Sequence, residues 1–192
     1  GIKVTGIALE TAGTFPGAST PFTLFDLGFV QNSTGAALQT ASVANGVTEF
    51  LRPEDAHWDP SNPNTLYFVT TASFTGPSRL YKATFTDILQ PELGGTIVAL
   101  LDGTEGQKMM DNMTVDQRGG IYIQEDPGNQ MHIAKLWKYD IATDVLTHGG
   151  TMSGRDARQV MRVAETLETF PELGGLLADG AISKVEPVSG KR

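Results

Sequence analysis

The sequence contains no cysteine among its 192 residues. This absence excludes disulfide bonds, thiolate metal sites, iron–sulfur clusters and cysteine nucleophiles. Positive charge is also scarce, because 14 Lys and Arg are set against 22 Asp and Glu and the formal net charge is −8. A nucleic-acid-binding surface needs clustered cations to neutralise phosphates. Nucleic acid is therefore not an expected partner.

The sequence also lacks a long apolar run. A membrane-spanning helix needs about 20 consecutive apolar residues. The longest apolar stretches here, such as residues 97–101, are far shorter. No segment is therefore expected to cross a membrane. The first five residues do not resemble a secretion signal. With 40% apolar and 19% charged residues, the chain is expected to fold around a buried core.

Glycine and proline are abundant instead, with 22 and 10 residues, and they fall between short apolar runs. This spacing indicates many tight turns. The runs are rich in β-branched and aromatic residues, and several alternate apolar with polar side chains as half-buried strands do. Strands are predicted over residues 66–70, 79–85, 96–101, 120–124 and 135–139. The predicted fold class is all-β.

The two ends of the chain show a different pattern. Residues 4–9 and 22–30 are predicted to be strands, and residues 31–45, with many small and polar side chains, are predicted to be a connector. After Ser153, a candidate N-cap, apolar residues recur at helical spacing until Pro171. One C-terminal helix is therefore predicted near residues 155–169.

An internal repeat is the most informative feature of the middle of the chain. Residues 52–71 and 110–126 each place acidic or amide residues before a short strand that ends in an Asp. A polar turn then leads into a second strand with an aromatic side chain, and two more predicted strands follow. Four antiparallel strands in a unit of about 45–55 residues are the layout of a β-propeller blade.

The repeat divides the chain into four parts. They are an N-terminal segment at residues 1–50, a first blade at 51–106, a second blade at 107–152, and a helix with a tail at 153–192. A closed propeller typically has about 4–8 blades, so two blades leave open strand edges. We therefore expect a β-propeller or partial β-propeller that belongs to a larger one, and we expect self-association or pairing with another chain.

Oxygen-bearing side chains occupy equivalent positions in the two units. The residues are Glu54, Asp55, Asp111, Asn112, Glu125 and Asp126. Such hard ligands bind Ca²⁺ or, with stricter geometry, Mg²⁺. A bound cation would relieve the repulsion among the carboxylates and stabilise the fold. The alternative is that these residues only form turns and caps, because Asp, Asn and Asp-Pro pairs are ordinary turn formers.

Motifs for several other chemistries are missing from the sequence. His57, His132 and His148 do not have the spacing of a zinc site. There is no nucleophile elbow, phosphate-binding loop or dinucleotide fingerprint, and the glycines in residues 102–107 have the wrong spacing for one.

Four motifs follow one another along the chain. They are Phe-Leu-Arg-Pro-Glu-Asp at 50–55, Leu-Asp-Gly-Thr-Glu-Gly at 101–106, Asp-Asn-Met-Thr-Val-Asp at 111–116 and Gln-Glu-Asp-Pro-Gly-Asn at 124–129. Over about residues 20–150 they resemble the large bacterial β-propeller family that contains the PhoX-type alkaline phosphatases. The resemblance implies a calcium-dependent propeller, exported to the periplasm or secreted, that hydrolyses phosphate monoesters.

The same resemblance implies roles for particular residues. Glu54, Asn112 and Glu125 match the family's motifs and are the expected Ca²⁺ ligands. If the protein is a hydrolase, a carboxylate such as Asp55 or Glu125 is expected to orient or deprotonate the attacking water. The resembled phosphatases also bind iron through a cysteine, so in this cysteine-free chain Ca²⁺ is the expected metal.

Two classes of function follow from these observations. The first is a Ca²⁺-dependent hydrolase of small anionic substrates, mainly phosphate esters. A lactonase-like hydrolase belongs to the same class, because the Asp-Asn placement is also similar to calcium-dependent lactonase propellers. The second class is a non-catalytic propeller module that calcium stabilises and that binds another molecule.

Overall fold

The computed structural model describes residues 1–10, 18–126 and 134–149. Their regular elements are β1 (Ile2–Val4), β2 (Thr20–Leu24), α1 (Gly35–Ala44), β3 (Pro53–Asp59), β4 (Asn62–Thr70), β5 (Arg79–Phe85), a short 3₁₀ helix (Pro91–Leu93), β6 (Gly95–Leu101), β7 (Met110–Val115), β8 (Gly120–Glu125), β9 (Leu136–Asp140) and β10 (Val145–Gly149). Strands dominate, which confirms the predicted β-rich fold. The predicted helix near residues 155–169 lies outside the described residues.

The strands form two antiparallel sheets. The order is β1-β2-β6-β5-β4-β3 in the first sheet and β10-β9-β8-β7 in the second. Each sheet therefore contains a four-strand meander, β3 to β6 or β7 to β10, as the repeat predicts. The N-terminal strands β1 and β2 extend the first meander at β6. Within the described residues neither sheet closes on itself, and closure into a propeller stays a prediction.

The backbone repeats at the start of the two meanders. Arg52 and Met109, which precede β3 and β7, both have positive φ angles, 55° and 53°. The carbonyl oxygen of Arg52 accepts the N–H of Thr71 at 2.9 Å, and that of Met109 accepts the N–H of Asp126 at 2.8 Å. The pairing register then shifts in the first residues of each strand, as at a β-bulge. These features show that the repeat in the sequence is also a repeat of backbone geometry.

A side-chain pair repeats at the other end of the same strands. The carboxylate of Asp59 accepts a hydrogen bond from the hydroxyl of Tyr67, and that of Asp116 accepts one from Tyr122, each at 3.2 Å. Each Asp also accepts N–H groups of the turn that follows it, such as that of Ser61 at 2.8 Å. The Asp that ends each first strand therefore fixes the turn and the next strand.

Two apolar cores lie on opposite faces of the first sheet. One fills the space between the sheets, and its buried members are Tyr67, Val69, Leu80, Leu101, Met110, Met113, Val115, Ile121, Ile123, Trp137 and Tyr139. The other is built around Phe22, Phe68, Tyr81, Phe85 and Ile97. Because side chains alternate along a strand, neighbours such as Phe68 and Val69 enter different cores. The central strands β4 and β5 of the first sheet are thus buried on both faces over most of their length.

The N-terminal segment differs from the sequence prediction. Residues 35–44, predicted to be part of a connector, form helix α1. Thr34 caps the helix, since its hydroxyl oxygen accepts the N–H of Ala37 at 3.2 Å, and the alanines that follow favour helix. No residue of α1 is buried. The helix therefore lacks the apolar stripe by which a sequence pattern reveals a helix.

Candidate functional site

Four carboxylates from the two meanders lie near one another where β3 and β7 begin. We call Glu54, Asp55, Asp111 and Asp126 the acidic cluster. Burial raises the pKa of Asp111, and the charges of Asp126, Glu54 and Asp55 raise it further. A hydrogen bond between the Asp111 and Asp126 side chains acts in the same direction. The equivalent positions in the repeat thus form one electrostatic site.

The backbone explains why the carboxylates gather there. β3 and β7 are adjacent strands of different sheets, and each begins with a left-handed residue followed by a register shift. A bulge turns side chains away from the regular alternation of a strand. Two consecutive polar residues at the start of each strand can then approach the other strand. Asp126 joins them because the second strand of the second meander ends beside the start of its first.

Asp55 connects the two sheets directly. Its carboxylate accepts the N–H of Ala56 on its own strand at 2.8 Å through Oδ1. Its other oxygen, Oδ2, accepts the N–H of Met113 on β7, also at 2.8 Å. Charge-assisted hydrogen bonds of this kind are stronger than neutral ones. Asp55 therefore fixes β3 against β7, in addition to any role in chemistry.

Glu125 is fully buried and is also held by backbone donors. Its Oε1 accepts the N–H of Lys108 at 2.8 Å and its Oε2 accepts that of Lys135 at 3.0 Å. The structure thus places Glu125 under the loops that flank β7 and β9, where it satisfies N–H groups that would otherwise be buried without a partner.

Glu54 and Asn112 lie at the exposed side of the cluster. Glu54 Oε1 forms an ion pair of 3.1 Å with the guanidinium of Arg52. The amide of Asn112 donates a hydrogen bond to Asp111 Oδ2 at 3.2 Å. Both contacts partly compensate the negative charge of the cluster. The predicted ligand Asn112 therefore contacts Asp111, and Glu54 lies close enough to Asp111 for its charge to act on that carboxyl.

The contact between Asp111 and Asp126 determines what the cluster can do. A hydrogen bond between two carboxyl groups needs a proton on one of them, and two adjacent carboxylates otherwise repel each other. A cation placed between them can replace this proton. Within residues 1–10, 18–126 and 134–149, however, no three His, Asp or Glu side chains are arranged to hold a metal ion by themselves. The donors suit Ca²⁺, which accepts amide, carbonyl and water oxygens besides carboxylates.

A pocket of about 480 Å³ adjoins the cluster. It lies between α1 and the first sheet, and Glu54 and Asp55 form part of its wall. Its other walls come from the N-terminal strand β1, from α1 and from β4. The sequence carries no local signal for this pocket, because its walls come from segments that lie far apart in the chain.

Comparison of the chain with protein-family models, with curated proteins and with solved structures finds no match in any of the three. Among the helices that the structure describes, none is long and apolar enough to cross a membrane.

Proposed function

We propose that this protein is a β-propeller-type module whose acidic cluster binds Ca²⁺. The observation that carries the proposal is the gathering of four carboxylates where β3 packs against β7. Asp55 bonds across to the N–H of Met113, and the charges of Glu54, Asp55 and Asp126 act on Asp111. A folded protein stabilises such a cluster by protonation, by basic partners or by a bound cation. The repeated backbone geometry of the two meanders and the resemblance to calcium-dependent propellers support the choice of a cation.

The residues at the cluster have different parts in this proposal. Asp111, Asp126 and Glu54 supply carboxylate oxygens, and Asn112 supplies an amide oxygen. Asp55 holds the two first strands together through its bonds to the N–H groups of Ala56 and Met113. Glu125, predicted from the resemblance as a ligand, holds the neighbouring loops through backbone N–H groups. The sequence-based assignments of Asp55 to water activation and of Glu125 to metal binding stay predictions.

A hydrolase of phosphate esters is the second candidate function. It is favoured by Asp111, because a carboxyl with a raised pKa can exchange a proton with a reacting water or leaving group. Ca²⁺ at this site would supply positive charge for the oxygens of an anionic substrate. The resemblance to PhoX-type phosphatases and to lactonase propellers supports this chemistry, and it supports a periplasmic or secreted location.

Thermal unfolding tests the calcium site. Melting curves are recorded in EDTA, in millimolar Ca²⁺ and in millimolar Mg²⁺. A ligand at 100 times its Kd adds about 2.7 kcal/mol to the free energy of unfolding. For a chain of this size that corresponds to a rise of about 5–10 °C in Tm. We expect Ca²⁺ to give such a rise and Asp111→Asn to reduce it.

Asp26→Asn is the matched control, because Asp26 is a carboxylate in an exposed turn where it accepts only the N–H of Gly28. This variant should respond to Ca²⁺ as the wild type does. Identical melting curves of the wild type in EDTA and in Ca²⁺ would show that the residues of the cluster only form turns and caps.

Turnover separates the two candidate functions. The protein is incubated with p-nitrophenyl phosphate and, separately, with a simple lactone, with Ca²⁺ and with chelator. Ca²⁺-dependent hydrolysis that Asp126→Asn removes supports the hydrolase. A calcium-induced rise in Tm without turnover of either substrate supports the non-catalytic module.

A further inference from the structure

The pocket beside the acidic cluster has two chemically different parts. Most of its wall is apolar and includes Val43, Val47, Phe50, Leu66 and Phe68. Its acidic wall residues are Glu49, Glu54 and Asp55, while the described residues that line it include no Lys, Arg or His. The pocket thus combines an apolar interior with negative charge.

The size of the pocket is that of a small-molecule site. Ligand sites commonly have volumes of about 300–1,000 Å³ and apolar walls with a few polar groups that orient the ligand. The pocket has a volume of about 480 Å³. Helix α1 forms one wall without burying any of its own residues, and Val43 remains 57% exposed. Apolar surface therefore stays in contact with water here, and an apolar ligand would remove it from water.

The three acidic residues are not equally available to a ligand. Both oxygens of Asp55 accept backbone N–H groups, and Glu54 is paired with Arg52. Glu49 is exposed, and its carboxylate makes no hydrogen bond or ion pair within the described part of the chain. Glu49 is thus the carboxylate that a cationic group in the pocket could bind without breaking an existing contact.

We propose that this pocket binds a small organic cation, an amine with an apolar aliphatic or aromatic body. The body packs between α1 and the first sheet against Phe50 and Phe68, and the ammonium group lies at Glu49. The charge selects the ligand class, since a carboxylate or phosphate would face Glu49, Glu54 and Asp55 without a basic partner on the described wall. The pocket shares Glu54 and Asp55 with the acidic cluster, but Glu49, which holds the ammonium group in this proposal, is not a member of the cluster.

Three probes with one carbon skeleton test the proposal. Phenylbutylamine, phenylbutanol and phenylbutanoate differ only in the charge of the terminal group. Their binding to the full chain is measured by titration calorimetry at neutral pH and low salt, in EDTA so that no divalent cation competes. We expect the amine to bind about ten-fold more tightly than the alcohol, as for a hydrogen bond to a charged group. The carboxylate should bind most weakly.

Two variants locate the binding. Glu49→Gln should lower the affinity for the amine to near that of the alcohol and leave the alcohol unchanged. Ser42→Phe, on the pocket side of exposed helix α1, should fill the space and weaken the amine and the alcohol alike. Glu92→Gln, a substitution in the 3₁₀ helix away from the pocket wall, is the matched control and should bind like the wild type.

Several results would overturn the proposal. Equal affinity for the amine and the carboxylate would show that the charge of the ligand does not affect binding. Unchanged affinity of the Ser42→Phe variant for the amine would show that the amine binds outside this pocket. No measurable binding of any probe would remove the site. The calcium-induced rise in Tm is recorded for Glu49→Gln as well and should be unchanged, so that failure of the amine site is distinguishable from failure of the calcium site.

Discussion

The ion pair between Glu10 and Arg79 should be among the interactions on which the fold depends most. Glu10 is fully buried and Arg79 is 2% exposed. Arg79 Nη1 lies 2.8 Å from Glu10 Oε1, and the hydroxyl of Thr70 donates to the same oxygen at 2.6 Å. Glu10 Oε2 accepts the N–H of Leu51 at 2.7 Å. The pair therefore attaches the N-terminal segment to β4 and β5.

Removing one member of the pair leaves the other charge buried. Arg79→Met leaves the carboxylate of Glu10 buried without its cation, which should lower the free energy of unfolding by about 3–5 kcal/mol. Typical free energies of unfolding are about 5–15 kcal/mol, so the variant should lose a large share of its stability. For a chain of this size, Tm should fall by about 6–20 °C. The double variant Glu10→Gln with Arg79→Met should recover part of this loss, since no charge then remains buried.

An exposed pair of the same residue types provides the control. Arg52 and Glu54 lie 3.1 Å apart, with side chains 49% and 30% exposed. Breaking it by Arg52→Met should cost less than about 1 kcal/mol. All variants are compared by urea and thermal unfolding in EDTA. If Arg79→Met and Arg52→Met lower the free energy of unfolding equally, burial of the ion pair has no influence on its contribution to stability.

Two further substitutions have outcomes that the structure fixes in sign. The pKa of Asp111 is raised from its ordinary value of 3.8 by burial and by its acidic neighbours, so the folded state favours the protonated form and stability falls as pH rises through the raised value. Without Ca²⁺, the Asp111→Asn variant should therefore have a Tm up to about 3 °C above that of the wild type at neutral pH. This difference in Tm should vanish below pH 3.8, the ordinary pKa of an Asp side chain. Melting curves recorded between these pH values test the prediction. Gly94 has a φ of 67°, and a Cβ there would lie 2.2 Å from the carbonyl oxygen of Phe22, so Gly94→Ala should cost more than about 2 kcal/mol in urea unfolding. Gly28, with a φ of 72° and open space around it, is the control, and Gly28→Ala should cost only about 1–2 kcal/mol.

The strands of the two meanders were predictable from local sequence. The predicted strands 66–70, 79–85 and 96–101 lie within or nearly coincide with β4, β5 and β6. Alternating apolar and polar residues make this possible, because the two faces of a strand have different surroundings that leave a trace in the sequence. Helix α1 left no such trace, because none of its residues is buried. Its helical conformation follows from the Thr34 cap and alanine content.

The composition of the candidate site was also predictable, although its geometry was not. The repeat drew attention to the carboxylates of the acidic cluster, and in the structure the charges of Glu54, Asp55 and Asp126 act on Asp111. Sequence alone could not show that Glu125 is enclosed by backbone N–H groups or that Glu49 borders an apolar pocket. These features depend on contacts between segments that are distant in the chain.

Local sequence dictates which residue types recur in the two meanders. It thereby dictates the strands, the turns that Asp59 and Asp116 hold, and the supply of carboxylate and amide oxygens at the start of β3 and β7. The hydrogen-bond partners and the pKa of each carboxylate depend instead on tertiary contacts. Asp55 bonds to Met113, 58 residues away, whereas Asp111 lies near Asp126, whose charge raises its pKa. The reason is that the pKa and the ligand capacity of a carboxylate depend on its burial and on its hydrogen-bond partners. In this fold those partners are brought together by the packing of β3 against β7.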